Sequence, residues 1–463
     1  MDAAKSSVSQ LQFVAGTAVK NLTTLLLLTL VLPINGALVF GTMGYQFVRR
    51  LFNRIVHPVP DRKIAGPKKS VLISGGKMTK ALQLARLFHQ SGHRVVMVES
   101  HAYWLVGHRF SRAVDRFCTL PKTGSAGYEA ALLDLIKREN IDVYIPVCSP
   151  VASLHDSLAI PLLEKHCEVM HVHPDTIQLL DDKFQFFQAA QGMQLAVPKS
   201  FLITDPHEVA RFDFSGESRP YILKSIAYDP VRRLDLTKLP LSSVQATAAF
   251  AHSLPISRQN PWIMQEFIAG QEFCTHGTFR DGELRVHCCC RSSAFQINYE
   301  NVENPAIEAW VKTFGKGLRL TGQASFDFIE ASDDGKIYAI ECNPRTHSAI
   351  TMFYNHPDVA DAYLGTTALA RPVTPLGSSK PTYWIYHELW KLLTHLRSTK
   401  RVAATGRTIQ QGKDAIFDWH DPLPFFMLHH WQIPLLLLRD LRQRKGWIKI
   451  DFNIGKLVQP GGD

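Results

Sequence analysis

The sequence predicts an α/β domain followed by an α+β domain, with an apolar N-terminal helix before them and a C-terminal extension after them. Three observations carry this fold class. Strands and helices alternate through residues 61–175, which is typical of a parallel sheet. Strands joined by tight turns dominate residues 176–356, which is typical of antiparallel sheets in two lobes. An uncharged apolar run lies within residues 1–60, and residues 357–463 form the mixed extension.

The N-terminal segment, residues 1–60, predicts a membrane-anchor helix. No residue from Asn21 to Val48 is charged, and this length suffices for a bilayer-spanning helix. Basic residues follow from Arg49, so the positive-inside rule predicts that the part of the chain after the helix lies in the cytoplasm. Pro33 and Gly36 interrupt the run, so a kinked or re-entrant hairpin stays open beside a straight transmembrane helix.

Composition excludes several classes of protein. The hydrophobic fraction of 46% and the charged fraction of 20% are typical of a globular chain rather than a disordered one. The net charge of +10 would suit nucleic acid, but the basic clusters have no interleaved aromatic residues and no zinc-finger spacing. We therefore expect no nucleic-acid partner. Eight cysteines without a CxxC pair indicate buried thiols in a reducing compartment rather than a zinc site.

Residues 61–175 open with a βαβ unit. Its sequence is KKSVLISGGKMTKALQLARLFHQSGHRVVMVES, in which a strand, a Gly-Gly turn, a helix and a second strand follow one another. The alternation continues to about His173 and predicts a small Rossmann-like parallel sheet. The turn Ser74–Gly76 lacks the full GxGxxG pattern, yet Glu99 ends the next strand. A nicotinamide oxidoreductase therefore stays open as an alternative.

Polar side chains interrupt the apolar strands of residues 176–356. Lys224 lies inside the strand YILKSI, and Asp327 lies inside SFDFIE. A lysine among Ile and Leu residues is costly unless it meets an anion, and carboxylate oxygens suit Mg²⁺ that also binds phosphate. Taken singly, such residues are more often ordinary surface charges, and Lys183 beside Asp181 and Asp182 fits that interpretation too. The polar set, in chain order, is Lys183, Lys224, Gln265, Glu266, Glu272, Asp327, Glu341, Asn343 and Arg345.

The C-terminal extension, residues 357–463, permits two interpretations. Its run DPLPFFMLHHWQIPLLLLRDLRQRKGWIKIDF joins aromatic and aliphatic residues to a basic segment. Such a run predicts either an interfacial element, with its apolar face in lipid and its basic residues at headgroups, or an element that packs on the core.

The order of these polar residues resembles the ATP-grasp superfamily, in which ATP is clamped between two α+β lobes. The resemblance implies that residues 61–175 are the pre-ATP-grasp domain and residues 176–356 the two-lobed ATP-grasp domain. It also implies ATP and Mg²⁺ (or Mn²⁺) as cofactors. By their positions in the motifs, Lys183 and Lys224 would bind phosphate oxygens and Glu272 the ribose. The segment facing adenine would be Gln265, Glu266, Phe267 and Ile268, and the metal ligands would be Asp327, Glu341 and Asn343.

One feature departs from the superfamily pattern. Many members carry a glycine-rich loop after the second lysine, whereas this chain reads SIAYDPVRRLDL. Arg232 and Arg233 would then close over the phosphates in place of backbone amides. Arg345, after the Asn-Pro turn, would hold the transferred phosphate or the acceptor, because a guanidinium binds oxyanions in a bidentate manner.

Longer stretches resemble the mycosporine-glycine synthase branch of that superfamily. They include YILKSIAYDPVRRLDLTKLP, HCCCRSSAFQINYE, AIECNPRTHSAITMFY and IDFNIGKLV. The resemblance implies ATP-dependent joining of glycine to 4-deoxygadusol through a phosphorylated enol, giving mycosporine-glycine, ADP and phosphate. The acceptor pocket would include Ser292, Ser293, Phe295 and Asn298, and His347 is a candidate general base by residue type.

Two further interpretations stay open at the level of sequence. One is an ATP-grasp ligase that joins an ordinary carboxylate to an amine, such as an amino-acid or peptide ligase. The other is a membrane-tethered nucleotide-binding protein with a degenerate site, for which the missing glycine-rich loop is the support.

Overall fold

The structure is a computed structural model of the chain. It describes residues 2–56, 67–147, 149–226, 232, 235–292 and 298–459. For residues 2–15, 53–56, 150 and 151 it describes the backbone alone.

The N-terminal segment is one continuous α-helix, α1 (Asp2–Val56), with Pro33 inside it. Its part from Gly16 to Phe52 is long and apolar enough to cross a membrane. Of the two sequence alternatives, the structure therefore contains a single helix and not a hairpin. The helix does not stand alone, because Leu28 and Val39 are buried in a core that it shares with the C-terminal extension.

The first domain contains a parallel sheet, which confirms the α/β prediction. Its strands are β1 (Ser70–Ile73), β2 (Arg94–Ser100), β3 (Arg116–Leu120), β4 (Val143–Ile145) and β5 (Glu168–Val169), and its helices are α2 (Thr79–Gln90), α3 (Tyr128–Glu139), α4 (Pro150–Leu158) and α5 (Ile160–Leu163), with 3₁₀ turns at His101–Tyr103 and Gly107–Phe110. Neighbouring strands pair in parallel in the order β3-β2-β1-β4-β5. The stretches Val71–Ile73 of β1 and Val95–Val98 of β2 are apolar and buried, as is typical of a sheet that helices cover on both faces.

A small lobe follows the first domain. Its elements are the helices α6 (Pro174–Asp181), α7 (Lys183–Gly192), α8 (Pro206–Arg211) and α9 (Val244–His252), and the strands β6 (Ser200–Ile203), β7 (Tyr221–Ser225) and β8 (Trp262–Glu266). The strands pair antiparallel in the order β6-β8-β7. A capping box between Asp205 and Glu208 starts α8, since each residue bonds a backbone amide that the first turn leaves unpaired.

A large lobe completes the α+β part. It contains β9 (Gly270–Arg280), β10 (Glu283–Arg291), α10 (Pro305–Gly317), β11 (Gly322–Ala331) and β12 (Ile337–Asn343). The strands pair antiparallel in the order β10-β9-β11-β12. One face of this sheet packs on α10 through Phe326 and Phe314, so the opposite face is available to polar side chains.

The C-terminal extension wraps back onto the first domain and onto α1. A 3₁₀ segment, Ser348–Phe353, precedes it. The elements of the extension are α11 (Val359–Leu364), β13 (Thr382–Tyr383), α12 (Ile385–Thr394), α13 (Thr399–Gln411), β14 (Lys413–Asp414), α14 (Leu423–Met427), a π-helical turn Leu428–Gln432, α15 (Ile433–Gln443), β15 (Lys449–Asp451) and β16 (Lys456–Val458). Residues 423–443 thus form one uninterrupted helical run, and its apolar side packs on α1. The predicted domain boundaries stay predictions.

Candidate functional site

Two carboxylates stand opposite each other on the sheet of the large lobe. Asp327 of β11 pairs in register with Glu341 of β12, and Ser325 pairs with Asn343. Side chains of directly opposed residues share one face of a sheet, and so do residues two apart on a strand. Asp327, Glu341 and Asn343 therefore lie on the face opposite the aromatic core of the lobe, as the sequence predicted for a group that acts together.

A hydrogen-bond chain organises the end of β12. Asn343 Nδ2 donates to Asp327 Oδ2 at 3.3 Å, and the Arg345 guanidinium donates to Asn343 Oδ1. The Arg345 backbone N–H also donates to the carbonyl oxygen of Asn343 at 2.7 Å, across Pro344. Because proline ends the strand pairing, the chain turns at this point and brings a cation toward the carboxylates.

Lys183 meets this group from the small-lobe side. Its Nζ lies 3.0 Å from Glu341 Oε1, although 158 positions separate the two residues. Asp182 does not pair with it but caps α7, since its Oδ1 accepts the N–H groups of Phe184 and Gln185. Of the two acids beside Lys183 in the sequence, Asp182 therefore forms no ion pair with it, whereas Asp181 lies near enough to feel its charge.

Lys224 reaches the same cluster from β7. Burial lowers the pKa of Lys224, and the nearby Lys183 lowers it further, while the charges of Glu341, Glu272 and Asp327 raise it. Lys224 on the small lobe therefore lies near three carboxylates of the large lobe. The two lysines and the acids singled out in the sequence thus converge.

The carboxylates differ in their affinity for protons. Burial raises the pKa of Asp327 to about 7, and the charge of Glu341 adds to this. Burial is the largest single influence on the pKa of Glu341 and raises it, but the combined attraction of Lys183, Lys224 and Arg345 outweighs burial and the net shift is downward. The raised pKa of Asp327 shows that its ionised form is disfavoured next to ionised Glu341. A divalent cation bound between the two carboxylates would relieve this repulsion.

The donor set suits a hard metal ion. Asp327, Glu341 and Asn343 offer carboxylate and amide oxygens, the ligands that Mg²⁺ prefers together with phosphate oxygens. Within residues that the structure describes, no group of three or more His, Cys, Asp or Glu side chains forms a complete metal site.

The first two residues of the segment predicted to face adenine, Gln265 and Glu266, point to opposite faces of β8. Gln265 is buried, and its Oε1 has no hydrogen-bond partner among the described residues. Its neighbour Glu266 points to the other face of β8, where it lies 3.5 Å from Arg219 and accepts the Lys199 N–H at 3.2 Å. The Glu266 carboxylate is thus part of the small-lobe structure, and the Glu266 backbone N–H donates to the Lys199 carbonyl oxygen at 2.8 Å.

The remaining residues of this segment pack at the same end of the small lobe. The Phe267 N–H donates to the Pro220 carbonyl at 2.7 Å, and the ammonium of Lys238 lies 4.2 Å from the centre of the Phe267 ring. Ile268 is buried. Glu272, on β9, is exposed, and its carbonyl accepts the Ser292 N–H at 2.8 Å. Ser292 therefore lies next to the predicted ribose-binding residue.

Several predicted site residues cannot be located against this cluster. Arg233, Ser293 and Phe295 lie outside the described residues. Arg232 and Asn298 are described, and both are partly buried. The roles assigned to these five residues stay predictions.

His347 has a structural task that the sequence did not reveal. Its Nδ1 accepts the Ala349 N–H at 3.2 Å and caps the segment Ser348–Phe353, and its ring stands edge-on to Tyr299. Burial lowers its pKa to about 3, with Lys80 and Arg345 adding to the shift. The ring is neutral at neutral pH, and it binds protons too weakly to be a strong general base.

Two residues of the site were not singled out by sequence. Asp181 lies close enough to Arg345, Lys183 and Glu341 to feel their charges, and burial raises its pKa. Lys80 of α2 donates from Nζ to the Thr346 carbonyl oxygen at 2.6 Å, so the first domain holds the loop after Asn343. No sequence pattern identifies Lys80, because its partner is 266 positions away.

The dinucleotide alternative loses its support. Glu99, the residue expected at a ribose, is bonded by Lys77 through both its backbone N–H and its Nζ at 3.2 Å. The cavity at this end of the parallel sheet measures about 70 Å³. Pockets that hold cofactors span roughly 300–1,000 Å³, so this one does not fit a dinucleotide.

Comparisons with known proteins agree with the ATP-grasp resemblance at the level of fold. No family model matches the chain. The ADP complex of PurK, N5-carboxyaminoimidazole ribonucleotide synthetase, aligns with a TM-score of 0.50 and 14% identity over 73% of this chain and 87% of that one. Rhizobium etli pyruvate carboxylase aligns with a TM-score of 0.47 and 16% identity over 62% of this chain and 28% of that one.

A sequence match points the same way. The C-terminal section of the carbamoyl phosphate synthase large chain from Methanopyrus kandleri is 19% identical over 229 residues, which are 46% of this chain and 41% of that protein. The chain thus spans about two fifths of the length of the curated relative it matches. The chain has a mixed α/β fold of the ATP-grasp type, which it shares with PurK.

Proposed function

We propose that the chain is an ATP-dependent ligase that phosphorylates an acidic oxygen of one substrate and joins that substrate to an amine. The observation that carries the proposal is the convergence of Lys183 and Lys224 on the opposed pair Asp327 and Glu341. Cations from one lobe and carboxylates from the other surround the same space, which is the arrangement that a metal-bound triphosphate requires.

The protein residues act by charge and position. Lys183 and Lys224 neutralise oxyanions of the β- and γ-phosphates, and Arg345 holds the transferring group in line. Asp327, Glu341 and Asn343 would hold Mg²⁺ or Mn²⁺, which neutralises the charge that develops between those phosphates. Asn343 also fixes the direction of the Arg345 guanidinium. Such positioning supplies most of the rate increase in phosphoryl transfer.

The substrate class that the fold favours is a carboxylic acid with an amine acceptor. A carboxylate oxygen attacks the γ-phosphorus, the bond to the bridging oxygen breaks, and ADP leaves. The amine then adds to the carbonyl carbon of the acyl phosphate and loses a proton. Phosphate departs and leaves an amide. The fold similarity to PurK and the partial sequence similarity to the carbamoyl phosphate synthase large chain support this reaction class.

A second candidate is the 4-deoxygadusol–glycine reaction, which the long sequence resemblance favours. The enol of a cyclic 1,3-diketone is a vinylogous acid, so its oxygen accepts the γ-phosphoryl group as a carboxylate does. The glycine amine adds at the ring carbon, phosphate leaves, and the product is mycosporine-glycine. Ser292, Asn298, Ser293 and Phe295 would form the acceptor pocket. His347 would serve as positioning residue rather than as base, because its Nδ1 already accepts the Ala349 N–H.

One assay separates these candidates. Full-length protein in mild detergent is incubated with ATP and Mg²⁺, with glycine alone, with glycine plus 4-deoxygadusol, and with a panel of carboxylic acids plus amino acids. ADP release and product mass are recorded. ADP release that needs the cyclohexenone, with the mass of mycosporine-glycine, selects the second candidate. Release that needs a carboxylic acid selects the first.

The variant Lys224→Met provides the control for the site, since it should abolish ADP release in whichever mixture is active. Binding of ATP with no ADP release in any mixture would favour the degenerate nucleotide-binding protein and contradict the proposal. We further propose that the catalytic domain is cytoplasmic and acts on small molecules, with the chain held at a membrane through α1.

A further inference from the structure

The helix α1 exposes a continuous apolar surface. Between Lys20 and Arg49 it carries no charge, and bulky residues along it are largely open to solvent. Leu30, Ile34 and Phe47 are 63%, 69% and 65% exposed. A surface of this size exceeds what monomeric proteins leave in water, so another apolar medium or molecule covers it.

The opposite side of α1 is fixed to the folded body. At its start, Lys20 Nζ donates to the carbonyl oxygens of Trp447 and Ile448 at 2.8 and 3.1 Å. The Trp447 indole N–H donates to Asn21 Oδ1 at 2.6 Å. These bonds join the beginning of the apolar stretch to the segment just after α15.

Further contacts continue along the same helix. Asn35 Nδ2 donates to the Tyr386 hydroxyl at 2.5 Å and to His430 Nε2 at 2.7 Å. At the far end, Arg112 of the first domain donates to Gln46 Oε1 at 2.9 Å. At a rise of roughly 1.5 Å per residue, the contacts from Lys20 to Gln46 span about 39 Å. The helix is therefore held along the length that a bilayer core would require.

Other elements extend the exposed apolar surface. We define the apolar platform as the exposed bulky residues of α1, of α12 and of the helical run 423–443. Tyr386, the second residue of α12, contacts both Asn35 of α1 and His429 of that run, so the three elements adjoin. Exposed members outside α1 are Leu389, Trp390, Leu393, Trp431, Leu435 and Leu438.

The charge beside the platform is positive. Arg49 and Arg50 on α1, and Arg442, Arg444 and Lys445 near the end of α15, are exposed. The acid nearest to them in the chain, Asp440, is fully buried. Tryptophan and aliphatic residues edged by basic ones are the pattern of an element that lies in the headgroup region of an anionic bilayer. Two copies of the chain joined at this surface would bring these cations together.

A helix that crossed the bilayer conflicts with these contacts. Asn35 lies near the middle of the apolar stretch, so Tyr386 and His430 would be carried to the bilayer centre with it. Polar groups at that depth are costly, and the elements that bear them form a packed core with α1.

We propose that the chain is a monotopic membrane protein, in which α1 lies in the plane of one leaflet and the apolar platform inserts into an anionic bilayer surface from the cytoplasmic side. Both ends of α1 then lie on the same side of the membrane as the candidate active site. This inference is independent of the reaction that the site catalyses.

Protease access to the N-terminus tests whether α1 lies in the plane of the membrane or crosses it. The full-length chain, with an epitope tag before Met1, is added from detergent to sealed, preformed vesicles of phosphatidylcholine and phosphatidylglycerol, and the detergent is removed. Protease is then added outside. In-plane binding predicts that the tag is removed completely. A tag that survives until the vesicles are opened would show that α1 crosses the bilayer, and this outcome overturns the proposal.

Co-flotation of the protein with vesicles tests whether the apolar platform is the surface that binds the membrane. Leu30→Glu with Ile34→Glu should reduce the vesicle-bound fraction about tenfold or more, whereas Leu202→Glu, an equally apolar-to-acidic change on the exposed face of β6, should not. Nucleotide-induced stabilisation in detergent reports that each variant is folded. Binding that is equal for neutral and anionic vesicles, or a stable dimer that stays off the vesicles, contradicts the proposal.

Discussion

Replacing Glu341 with Gln should weaken nucleotide binding strongly while it changes the free energy of unfolding only slightly. The change keeps the shape of the side chain and removes one negative charge. The contact that it weakens is the ion pair with Lys183 at 3.0 Å. The variant also lowers the pKa of Asp327, because the charge of Glu341 is the largest cause after burial that raises it.

The cost in folding free energy should be small. Two unit charges 3.0 Å apart attract by roughly 5.5 kcal/mol at an effective dielectric constant of about 20. The Glu341 side chain is 41% exposed, and exposed ion pairs contribute only about 0–1 kcal/mol net once solvent screening and side-chain entropy are included. We therefore expect the free energy of unfolding to fall by about 1 kcal/mol or less.

The cost in nucleotide binding should be large. Loss of one of two carboxylate ligands removes several kcal/mol of charge stabilisation, or about 100-fold in affinity for the metal–nucleotide complex. At a concentration that is about 100 times the wild-type Kd, the nucleotide stabilises the folded protein by about 2.7 kcal/mol. After a 100-fold loss of affinity the same concentration stabilises the variant by only about 0.4 kcal/mol.

Thermal unfolding with and without ATP and Mg²⁺ measures both quantities and needs no acceptor substrate. Glu330→Gln is the matched control, since Glu330 is an exposed carboxylate on the adjoining strand β11. The control should behave as wild type. If Glu341→Gln keeps the full nucleotide-induced stabilisation and the same dependence on Mg²⁺, the metal and phosphate assignment is refuted.

Two further changes test other parts of the structure. Lys80→Met removes the bond to the Thr346 carbonyl oxygen at 2.6 Å, so we expect ADP release to fall about tenfold or more with ATP affinity nearly unchanged; an equal fall in both would contradict a positioning role. Burial lowers the pKa of His108 to about 3, from 6.5 in an unperturbed imidazole. The unfolded chain therefore binds more protons between those values, and the free energy of unfolding falls as pH drops from 6.5 toward 3, by up to about 1.4 kcal/mol per pH unit for this group. His108→Gln should reduce that slope in urea unfolding at pH 6 and 4.5, and an unchanged slope would show that other groups dominate.

The fold was predictable because its patterns are local. Near-continuous apolar strands alternate with amphipathic helices in the first domain, and this alternation is typical of a parallel sheet. Lys224 and Asp327 attracted attention for the same reason, since each interrupts an apolar strand. Asp327 and Glu341 were both identified from the sequence. That they lie side by side follows only from the register of strands β11 and β12, which the sequence does not give.

Three expectations were changed by contacts that a sequence does not contain. Glu266 adjoins Gln265 in the chain, yet the alternation of a strand turns its carboxylate to Arg219 on the other face. His347 has the residue type of a base, yet a neighbouring N–H occupies its Nδ1. Asp182 adjoins Lys183, yet it caps α7 while Lys183 pairs across the cleft.

The sequence by itself determined the elements and their chemistry: where strands and helices form, which side chains carry charge inside apolar runs, and that one long helix is uncharged. Those properties depend on periodicity and polarity within a few residues of chain. Only the tertiary structure decided which of them meet, such as Lys183 with Glu341 across 158 positions and Lys20 with Trp447 across 427. Contacts of that kind depend on strand register and on how the lobes and the extension fold back. For this chain they decide both the candidate site and the proposed orientation of α1 at the membrane.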